Sequence, residues 1–404
     1  MAPACTLLLT LSGADRPGVT SALFAALAPC DVEVLDVEQV VIRGRLTLGV
    51  LVTASRRLEP AIRDAAEAAG SALGLAVDVS DGGDEEPRRR GRTLVTVLGS
   101  PLRPADLAGI AGRVADTGAN IDRIVRIAAY PVTAIELEVS GADPDRLRPL
   151  LAQDAARLGV DVAVERGGLH RRAKRLICMD VDSTLVQGEV IEMLAAHAGC
   201  EAEVTRVTEA AMRGELDFAA SLRERVALLA GLDAGALDAV RRSVQLAPGA
   251  RTLVRTLKRL DYRFAVVSGG FSQIVDPLAA DLGIDYAAAN TLEIADGKLT
   301  GRLVGPVVDR AGKAEALERF AADAGVPLSQ TVAIGDGAND LDMLGRAGLG
   351  IAFNAKPVVR RAADAAVTVP YLDAVLYMLG ISRGDIEAAD AAEGVATAAP
   401  PLSR

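Results

Sequence analysis

Three short apolar runs, each ending in polar or glycine-rich residues, constrain the fold of this chain more than any other feature. They lie in RLICMDVDST (residues 175–184), RFAVVSGGF (263–271) and TVAIGDGAND (331–340). Unbroken apolar runs of this length are typical of parallel strands that are buried on both faces. In open α/β sheets, sites form beyond the carboxyl ends of such strands. The pattern therefore predicts a doubly wound parallel sheet with a functional site at those strand ends.

The first part of the chain contains an internal repeat. Asp15-Arg16-Pro17 in the first copy aligns with Leu102-Arg103-Pro104 in the second, and the same offset places VEVLDVEQVVI (32–42) on ANIDRIVRIAA (119–129). A match that extends past a single turn indicates repeated domains. Each copy scans as strand, Pro-containing loop, helix, two alternating strands, helix and strand. This βαββαβ order resembles the ACT domain, a small-ligand module, and predicts ACT-like domains at residues 1–80 and 92–167.

Composition narrows the class of protein. Half of the 404 residues are hydrophobic, Trp is absent and aromatic residues make up 3%, so the cores must consist of Ala, Val, Leu and Ile. The apolar runs are far shorter than the ~20 residues of a membrane span, and no signal-peptide pattern precedes them, so we expect a cytoplasmic protein without a membrane segment. A net charge of −10 opposes nucleic-acid binding. The four cysteines have no metal-type spacing and are expected to be reduced thiols.

Three segments break the apolar pattern. Residues 81–92 and 165–175 are charged, contain glycine and have few apolar residues, which predicts solvated linkers. The second of these segments carries a basic run at residues 171–175, and a solvated linker explains that run as well as a nucleic-acid patch does. Residues 385–404 are rich in Ala and Pro without an apolar stripe, which predicts a disordered tail.

The residues that carry chemistry follow the three predicted strands and open one later helix. They are Asp180, Asp182, Ser268, Gly269, Lys313, Asp336 and Asp340. DxDxT alone could be half of a Ca²⁺ loop, but Leu185 and Ile191 stand where that loop needs Gly and Glu. The complete set, in this order, resembles the signature of the haloacid dehalogenase superfamily.

These residue types suit phosphoryl transfer. Asp180 can serve as the nucleophile, because a carboxylate forms a mixed anhydride that water later cleaves. Asp182 is placed to protonate the leaving oxygen and then to deprotonate the attacking water. Two anions facing a phosphate require a cation, and Mg²⁺ prefers hard oxygen ligands such as these. The predicted ligands are Asp180, Asp336 and the backbone carbonyl of Asp182, with Asp340 supporting a metal-bound water; the predicted phosphate donors are Ser268, the Gly269 N–H and Lys313.

Other nucleophiles fit the sequence less well. Cys200 and Arg206 have the C-x5-R spacing of cysteine phosphatases, but the loop between them lacks glycine and carries Glu201 and Glu203, which would repel a phosphate. His170 lies in a predicted linker and His197 in a helical pattern, so neither is well placed for a Ser-His site.

The substrate prediction depends on an insertion at about residues 187–244, which scans as a helical cap over the strand ends. Its sequence EVIEMLAAHAG…TEAAMRGELDFAASLRERVALLAGL resembles the phosphoserine phosphatase family, and the implied phosphatase domain spans residues 175–384. The resemblance implies hydrolysis of O-phospho-L-serine, the last step of L-serine biosynthesis. It also implies roles for Glu189 at the substrate ammonium, Arg225 at its carboxylate, Met212 and Phe218 at the pocket wall, and Asn339 on the phosphate side. The alternatives are another amino-bearing phosphomonoester such as phosphothreonine, a phosphoprotein, or an amino-acid-sensing regulator with a relic phosphatase domain.

The ACT-like pair predicts regulation or assembly. ACT domains often sense amino acids and pair through sheet edges or helices, so the resemblance implies a homodimer with an amino-acid effector, and L-serine is the first candidate. Gly18 in the first copy is replaced by Ala105 in the second. Because Gly lacks a Cβ, the loop at Gly18 can approach a ligand more closely. The alternative is a dimerisation scaffold that binds no ligand.

Overall fold

The computed structural model describes residues 4–83, 92–168, 171, 173–212 and 217–397, except for the side chain of Met212. The chain divides into two compact units, Met1–Arg88 and Arg89–Arg404. Within the described ranges, no helix combines the length and the apolar character needed to cross a bilayer.

The first unit is a four-stranded antiparallel sheet with two helices. Its elements are β1 (Ala4–Ala14), α1 (Val19–Leu27), β2 (Val32–Ile42), β3 (Arg45–Ser55), α2 (Glu59–Leu73) and β4 (Ala76–Asp81). The strand order is β2-β3-β1-β4. Alternate β3 residues, such as Leu48 and Val50, pack in one apolar cluster with Leu23 of α1 and Ile62 of α2. The predicted βαββαβ order is confirmed.

β2 forms an edge of this sheet and has little cover. Apart from Val32, every residue of the strand is exposed, including Val37 at 42% and Ile42 at 68%. A long edge strand with exposed apolar side chains is suited to pairing with another chain.

The second unit begins with the same βαββαβ order. Its first elements are β5 (Arg92–Gly99), α3 (Pro104–Asp116), β6 (Asn120–Ala128), β7 (Thr133–Ser140), α4 (Pro144–Leu158) and β8 (Asp161–Arg166). The strands have the order β8-β5-β7-β6, which is the order of the first copy with each strand replaced by its counterpart. The repeat read from the sequence is therefore also a repeat of topology.

The remainder of the second unit alternates strands and helices. The first elements are β9 (Leu176–Met179), α5 (Val190–Ala198), α6 (Glu201–Met212), α7 (Phe218–Ala227), α8 (Gly235–Ser243), α9 (Ala250–Arg259), β10 (Arg263–Phe271), α10 (Ser272–Leu282) and β11 (Tyr286–Ala295). There follow β12 (Lys298–Val304), α11 (Arg310–Asp323), β13 (Thr331–Gly335), α12 (Leu341–Arg346), β14 (Leu349–Phe353), α13 (Pro357–Ala362), β15 (Ala365–Val367), α14 (Ala374–Met378) and α15 (Arg383–Ala392).

A single sheet of eleven strands runs through the second unit, in the order β12-β11-β10-β9-β13-β14-β15-β8-β5-β7-β6. Its six neighbouring strands β11-β10-β9-β13-β14-β15 are parallel to one another, and β12 is antiparallel to β11. Along β9, Ile177 and Met179 face one apolar cluster and Leu176 and Cys178 face another, so helices cover both faces. The doubly wound parallel sheet is confirmed. Its junction with the ACT-like strands is the antiparallel pairing of β15 with β8, at Ala365 and Ala163.

The described residues of the segment 165–175 do not form the solvated linker that its charge predicts. Arg171 is largely buried and pairs with Glu136 and Glu165, and its guanidinium donates to the Met378 carbonyl at 2.9 Å. Lys174 is also buried and donates to the Ser329 carbonyl at 3.1 Å. Arg171 therefore joins the ACT-like strands β7 and β8 to α14, and Lys174 joins this segment to the turn before β13. Residues 84–91 of the other predicted linker lie outside the described residues.

The predicted disorder of residues 385–404 is wrong as far as residue 397. α15 buries Ile386 completely, and the buried carboxylate of Asp390 pairs with Arg255 and Arg259 of α9 at 2.6 Å each. Ile386 and the ion pairs of Asp390 hold this helix in place. Its sequence has no apolar stripe, which is the pattern by which a packed helix is recognised. Residues 398–404 lie outside the described part of the chain.

Candidate active site

The candidate site lies at the carboxyl ends of three adjacent strands. β10 and β13 flank β9 in the sheet, and both run parallel to it. The residues that follow the three strands therefore emerge at one edge. Asp180, Ser268 and Asp336 are brought together in this way.

Lys313 is a buried cation in this site, with 0% exposure. It lies in the first turn of α11, where Asp309 caps the helix by accepting from the Gly312 N–H at 2.9 Å. Its ammonium lies 2.6 Å from Asp180 Oδ2 and 2.6 Å from Asp340 Oδ1. Although burial alone would lower it, these two carboxylates raise the pKa of Lys313 above its ordinary value. The lysine therefore remains charged and neutralises part of the acidic cluster.

Asp180, Asp336 and Asp340 form a cluster that fits a metal ion. Each offers one oxygen atom, and the three atoms lie within 4.8 Å of one another. Burial, followed by the charge of Asp340, raises the pKa of Asp180 well above its usual value, and the same causes raise the pKa of Asp336 to about 6. Three carboxylates around the one charge of Lys313 leave excess negative charge, which a divalent cation would compensate.

The hydrogen bonds around Asp336 and Asp340 distinguish the two carboxylates. Asp340 Oδ1 faces Lys313, and its Oδ2 accepts from the Gly337 N–H at 2.9 Å. Asp336 Oδ1 accepts from the Thr184 hydroxyl at 2.9 Å. Asp340 is therefore held through both of its oxygens, and so is Asp180, through the Val181 N–H at 2.7 Å and the Lys313 ammonium at 2.6 Å.

Asp182 lies in a sharp turn after β9. The turn includes Ser183 in the left-handed region, with φ 57°. Asp182 Oδ1 accepts from the Val190 N–H at 2.9 Å, and Oδ2 accepts from the Ser268 hydroxyl at 3.0 Å. Burial raises the pKa of Asp182, while these hydrogen bonds stabilise its ionised form. A positioned carboxyl group with a raised pKa suits proton donation and acceptance.

Two glycines allow the close packing around Ser268. A Cβ on Gly270 would lie 2.7 Å from Asp182 Oδ2, and a Cβ on Gly269 would lie 3.0 Å from the Phe218 ring. The Gly270 N–H donates to the Ser268 hydroxyl oxygen at 2.7 Å. The loop thus brings its backbone close to both the Asp182 carboxylate and a cap residue.

Helices α5 to α8 form the insertion between β9 and β10, and two charged residues of this insertion lie near the cluster. Glu189 accepts from the Ser183 hydroxyl at 3.2 Å, and burial, followed by the charge of Asp182, raises its pKa to about 7. Burial lowers the pKa of Arg225 on α7, against the opposing charges of Glu189 and Asp182. The structure therefore brings a carboxylate and a guanidinium within electrostatic reach of Asp182.

The other predicted residues are placed less specifically. Phe218 begins α7 and packs on Gly269. Met212 is the last residue of α6. Asn339 is half-buried in the short turn between Gly337 and Asp340. Among the weighed alternatives, burial and the charge of Glu203 raise the pKa of the Cys200 thiol, which disfavours a thiolate nucleophile. His170 lies outside the described residues.

Sequence reasoning assigned no role to three residues of this site. Thr184 orients Asp336, Ser183 orients Glu189, and Gly270 supports Ser268. Thr184 is the last residue of the DxDxT motif and Gly270 the last of SGG, so the motifs themselves carried the signal.

A second region of interest lies in the first unit, around Gly18. Gly18 directly precedes α1 as its N-cap residue, with a left-handed φ of 95°, and a Cβ there would meet nothing within 4 Å. The loop borders a cavity of about 480 Å³, which is lined by Asp15, Arg16, Pro17, Gly18, Val19, Thr20, Ser21 and Gln39. The predicted effector loop therefore has open space beside its backbone.

Comparisons with known proteins agree with this architecture. A model described as haloacid dehalogenase-like hydrolase matches residues 177–345, and two ACT-domain models match residues 92–165 and 5–80. A phosphoserine phosphatase from Streptomyces coelicolor is 62% identical over 95% of this chain and 94% of its own. Phosphoserine phosphatase SerB2 from Mycobacterium tuberculosis is 57% identical over 96% of both chains. The crystal structure of a probable phosphoserine phosphatase from Vibrio cholerae has a TM-score of 0.57 and 34% identity, over 75% of this chain and 91% of its own.

Proposed function

The chain belongs to the phosphoserine phosphatase family, and we propose that it hydrolyses O-phospho-L-serine to L-serine and phosphate at the Asp180 site. The observation that carries this proposal is the buried arrangement of Asp180, Asp340 and Lys313, with the ammonium 2.6 Å from each carboxylate. A carboxylate held beside a cation at a strand end suits attack on a phosphoryl group. The high identity to phosphoserine phosphatases along nearly the whole chain supports the choice of substrate.

The proposed reaction has two half-reactions. In the first, an Asp180 oxygen attacks phosphorus, the bond from phosphorus to the seryl oxygen breaks, and Asp182 protonates that oxygen. In the second, Asp182 takes a proton from water, whose oxygen attacks phosphorus and releases phosphate from Asp180. Ser268, the Gly269 N–H and Lys313 would bind the phosphoryl oxygens throughout.

We propose Mg²⁺ as the cation of the acidic cluster. Asp180, Asp336 and the Asp182 carbonyl would hold it, and Asp340 would support a water of its coordination shell. When bound, the ion supplies positive charge that offsets repulsion between the carboxylates and the phosphate.

The cap would select the substrate by its charges. Glu189 would bind the ammonium of phosphoserine and Arg225 its carboxylate, with Met212, Phe218 and Asn339 around them. A ligand ammonium beside Glu189 would also favour the ionised form of a carboxyl group whose pKa burial raises to about 7.

A phosphate-release assay tests the function. We expect turnover with phosphoserine and Mg²⁺, slower turnover with phosphothreonine, none after EDTA, and recovery when Mg²⁺ is added back. Ca²⁺ should substitute poorly, because its larger and more flexible coordination disturbs in-line geometry. A preference for phosphothreonine or a phosphoprotein would replace phosphoserine as the proposed substrate. If no phosphate is released from any of these compounds, the alternative of a regulator with a relic phosphatase domain is favoured.

For the ACT-like part we propose homodimer formation and binding of L-serine at the Gly18 loop. The exposed edge strand β2 supports the first proposal and the cavity beside Gly18 supports the second.

A further inference from the structure

The bulge that displays Ser268 and Gly269 needs a support that the sheet does not provide. Up to Val267, β10 pairs residue by residue with β11, and the next partners are Phe271 and Asn290. The stretch from Val267 to Phe271 therefore holds two more residues than the opposite stretch, from Ala288 to Asn290. A bulge of this kind removes ladder hydrogen bonds and leaves backbone groups without strand partners.

The Asn290 side chain replaces the missing ladder partner. Asn290 is 2% exposed, and its Nδ2 donates to the Gly269 carbonyl at 2.8 Å. The N–H of the same peptide, at Gly270, donates to the Ser268 hydroxyl oxygen at 2.7 Å. The peptide between Gly269 and Gly270 is thus held at both ends.

This peptide is linked to the proposed proton donor. Ser268 accepts from Gly270 and donates to Asp182 Oδ2 at 3.0 Å. A continuous line of hydrogen bonds therefore runs from Asn290 through the bulge to Asp182. A rotation of the Gly269–Gly270 peptide would take the Gly270 N–H away from the Ser268 hydroxyl, and it would strain the preceding peptide, which carries the Gly269 N–H.

The other end of the Asn290 amide reaches the segment that carries Lys313. Its Oδ1 accepts from the Val308 N–H at 2.8 Å. Val308 directly precedes Asp309, the residue that caps α11, and Lys313 lies in the first turn of that helix. One side chain therefore joins the two segments that supply the phosphate donors.

We infer that Asn290 is a positioning residue, which sets the spacing between the Ser268–Gly270 bulge and the start of the Lys313 helix. This inference rests on the proposed function of the site as a phosphoryl-transfer centre. It requires both hydrogen bonds at once, because a donor alone would orient only the bulge and an acceptor alone only the helix. A buried amide meets that need, since it offers a donor and an acceptor without a charge.

Two substitutions in the full chain test the inference. Asn290→Asp keeps the acceptor for Val308 but loses the donor to Gly269, and Asn290→Ala loses both. For each we expect kcat for phosphoserine to fall ~10- to 100-fold, as is typical for residues that orient a reactive group through another. KM should change less, because the amino and carboxylate groups of the substrate bind elsewhere. Affinity for inorganic phosphate, measured by calorimetry with Mg²⁺ present, should fall ~10-fold, because the donors no longer converge.

Gln273 offers a matched control. Its side-chain amide also bridges two backbone groups, donating to the Leu292 carbonyl at 2.8 Å and accepting from the Leu292 N–H at 3.3 Å. Gln273 lies on α10, and its side-chain amide holds the backbone of Leu292 in β11 rather than that of the Ser268–Gly270 bulge. Gln273→Ala should lower thermal stability without changing kcat or phosphate affinity.

The outcomes separate the inference from the function. If the folded Asn290 variants keep kcat and phosphate affinity within about twofold of the parent, or if Gln273→Ala loses as much, Asn290 has only a structural role. If Asn290→Ala does not fold, Asn290→Asp, which retains the size of the side chain, distinguishes a positioning role from a structural one. If the parent protein binds phosphate but does not release it from phosphoserine, the proposed function fails, and phosphate affinity alone still tests Asn290.

Discussion

The Lys313 ammonium controls what Asp180 can do, because it is a buried cation shared between two carboxylates. Burial raises the pKa of Asp180, which disfavours the ionised form that a nucleophile needs. The Lys313 ammonium, 2.6 Å from Asp180 Oδ2, opposes this effect and favours the ionised form. The lysine also keeps the carboxylate in one orientation. Removing the negative charge of Asp180 should therefore eliminate the chemistry and leave the packing largely intact.

We predict that Asp180→Asn lowers phosphate release from phosphoserine by at least ~1000-fold, because an amide cannot form the acyl-phosphate. The circular dichroism spectrum should remain that of the parent. Asp342→Asn is a matched control, since Asp342 lies in the first turn of α12, close to Asp340 in the chain, and pairs with Arg310 outside the cluster. Turnover by Asp180→Asn near that of the Asp342→Asn control would exclude Asp180 as the nucleophile.

Arg225 should act on substrate choice rather than on the chemical step. We predict that Arg225→Ala lowers kcat/KM for phosphoserine ~100-fold and for p-nitrophenyl phosphate less than ~5-fold, because the aryl ester has no carboxylate to pair with the guanidinium. Arg223→Ala, on an exposed position of the same helix, should alter neither value. Equal losses of kcat/KM on the two esters would show that Arg225 supports the fold instead of binding the substrate carboxylate.

The residues that chemistry requires at a strand end were predictable, and the residues that hold them were less so. Asp180, Ser268 and Asp336 follow apolar runs, and parallel pairing brings such positions together whatever the details of packing. Asn290 acts through bonds to backbone groups of Gly269 and Val308. Such partners have no characteristic side chain or spacing, so the sequence contains no pattern that reveals the contact.

At the scale of elements, α15 shows that a helix can be held by charge. Asp390 is fully buried, and the two arginines of α9 that pair with it are only partly exposed. Breaking a buried pair leaves groups without partners and costs more than a surface pair does. A low-complexity sequence with one buried isoleucine therefore folds against the sheet layer.

We predict that Asp390→Asn lowers the free energy of unfolding of the second unit by about 2 kcal/mol at pH 7. Although burial acts in the other direction, the hydrogen bonds from Arg255 and Arg259 lower the pKa of Asp390 below its ordinary 3.8. A carboxyl group whose pKa is lower in the folded than in the unfolded state stabilises the folded protein at pH values above the unfolded pKa. This contribution is lost as the pH falls from the unfolded pKa towards the folded one. The difference between parent and variant should therefore shrink below about pH 4.

Chemical denaturation at pH 7 and pH 3 measures both parts of this prediction. Glu393→Gln is the control, because Glu393 pairs with Arg259 but is half exposed, at 52%. It should cost less than Asp390→Asn, because solvent screens an ion pair with an exposed partner. A difference between Asp390→Asn and the parent that grows on acidification would contradict the assignment.

The edge strand β2 carries the proposed dimer contact. We predict that the parent chain sediments as a dimer and that Val37→Lys with Val41→Lys shifts it to monomer, because charged side chains on an edge strand oppose pairing. Leu260→Lys places one lysine on an exposed apolar residue of the second unit and should leave the dimer intact. A monomeric parent chain would remove β2 as the contact.

At the scale of the whole molecule, only the second of the two ACT-like copies belongs to the same compact unit as the catalytic sheet. The first is a compact unit by itself, whereas the second continues the catalytic sheet through β8 and β15. Sequence comparison of the copies could not show this difference, because it depends on one strand pairing and on buried contacts of Arg171 with Glu136 and Met378. An effector at the second copy would act directly on the sheet, and an effector at the first would act through association.

Removing the second copy would take β8 away from β15 and Glu136 and Glu165 away from Arg171, so the regulatory prediction is best tested at the first copy. We predict that L-serine binds beside Gly18 and lowers activity by binding the less active arrangement of subunits more tightly. A coupling of ~1–3 kcal/mol corresponds to a ~5- to 150-fold change in affinity. Gly18→Val should abolish this inhibition, because a β-branched residue is strained at a φ of 95° and fills the space beside the loop.

Product inhibition at the catalytic pocket would resemble regulation in a simple assay, and the variants separate the two. Competition at the pocket raises KM equally in the parent and in Gly18→Val, whereas regulatory inhibition disappears from the variant. Gly74→Val provides the strain control, since Gly74 has a left-handed φ of 62° at the end of α2 and does not line the cavity. If L-serine inhibits the parent, Gly18→Val and a chain lacking residues 1–88 with the same potency, the first ACT-like unit binds no effector, and assembly is the function left to it.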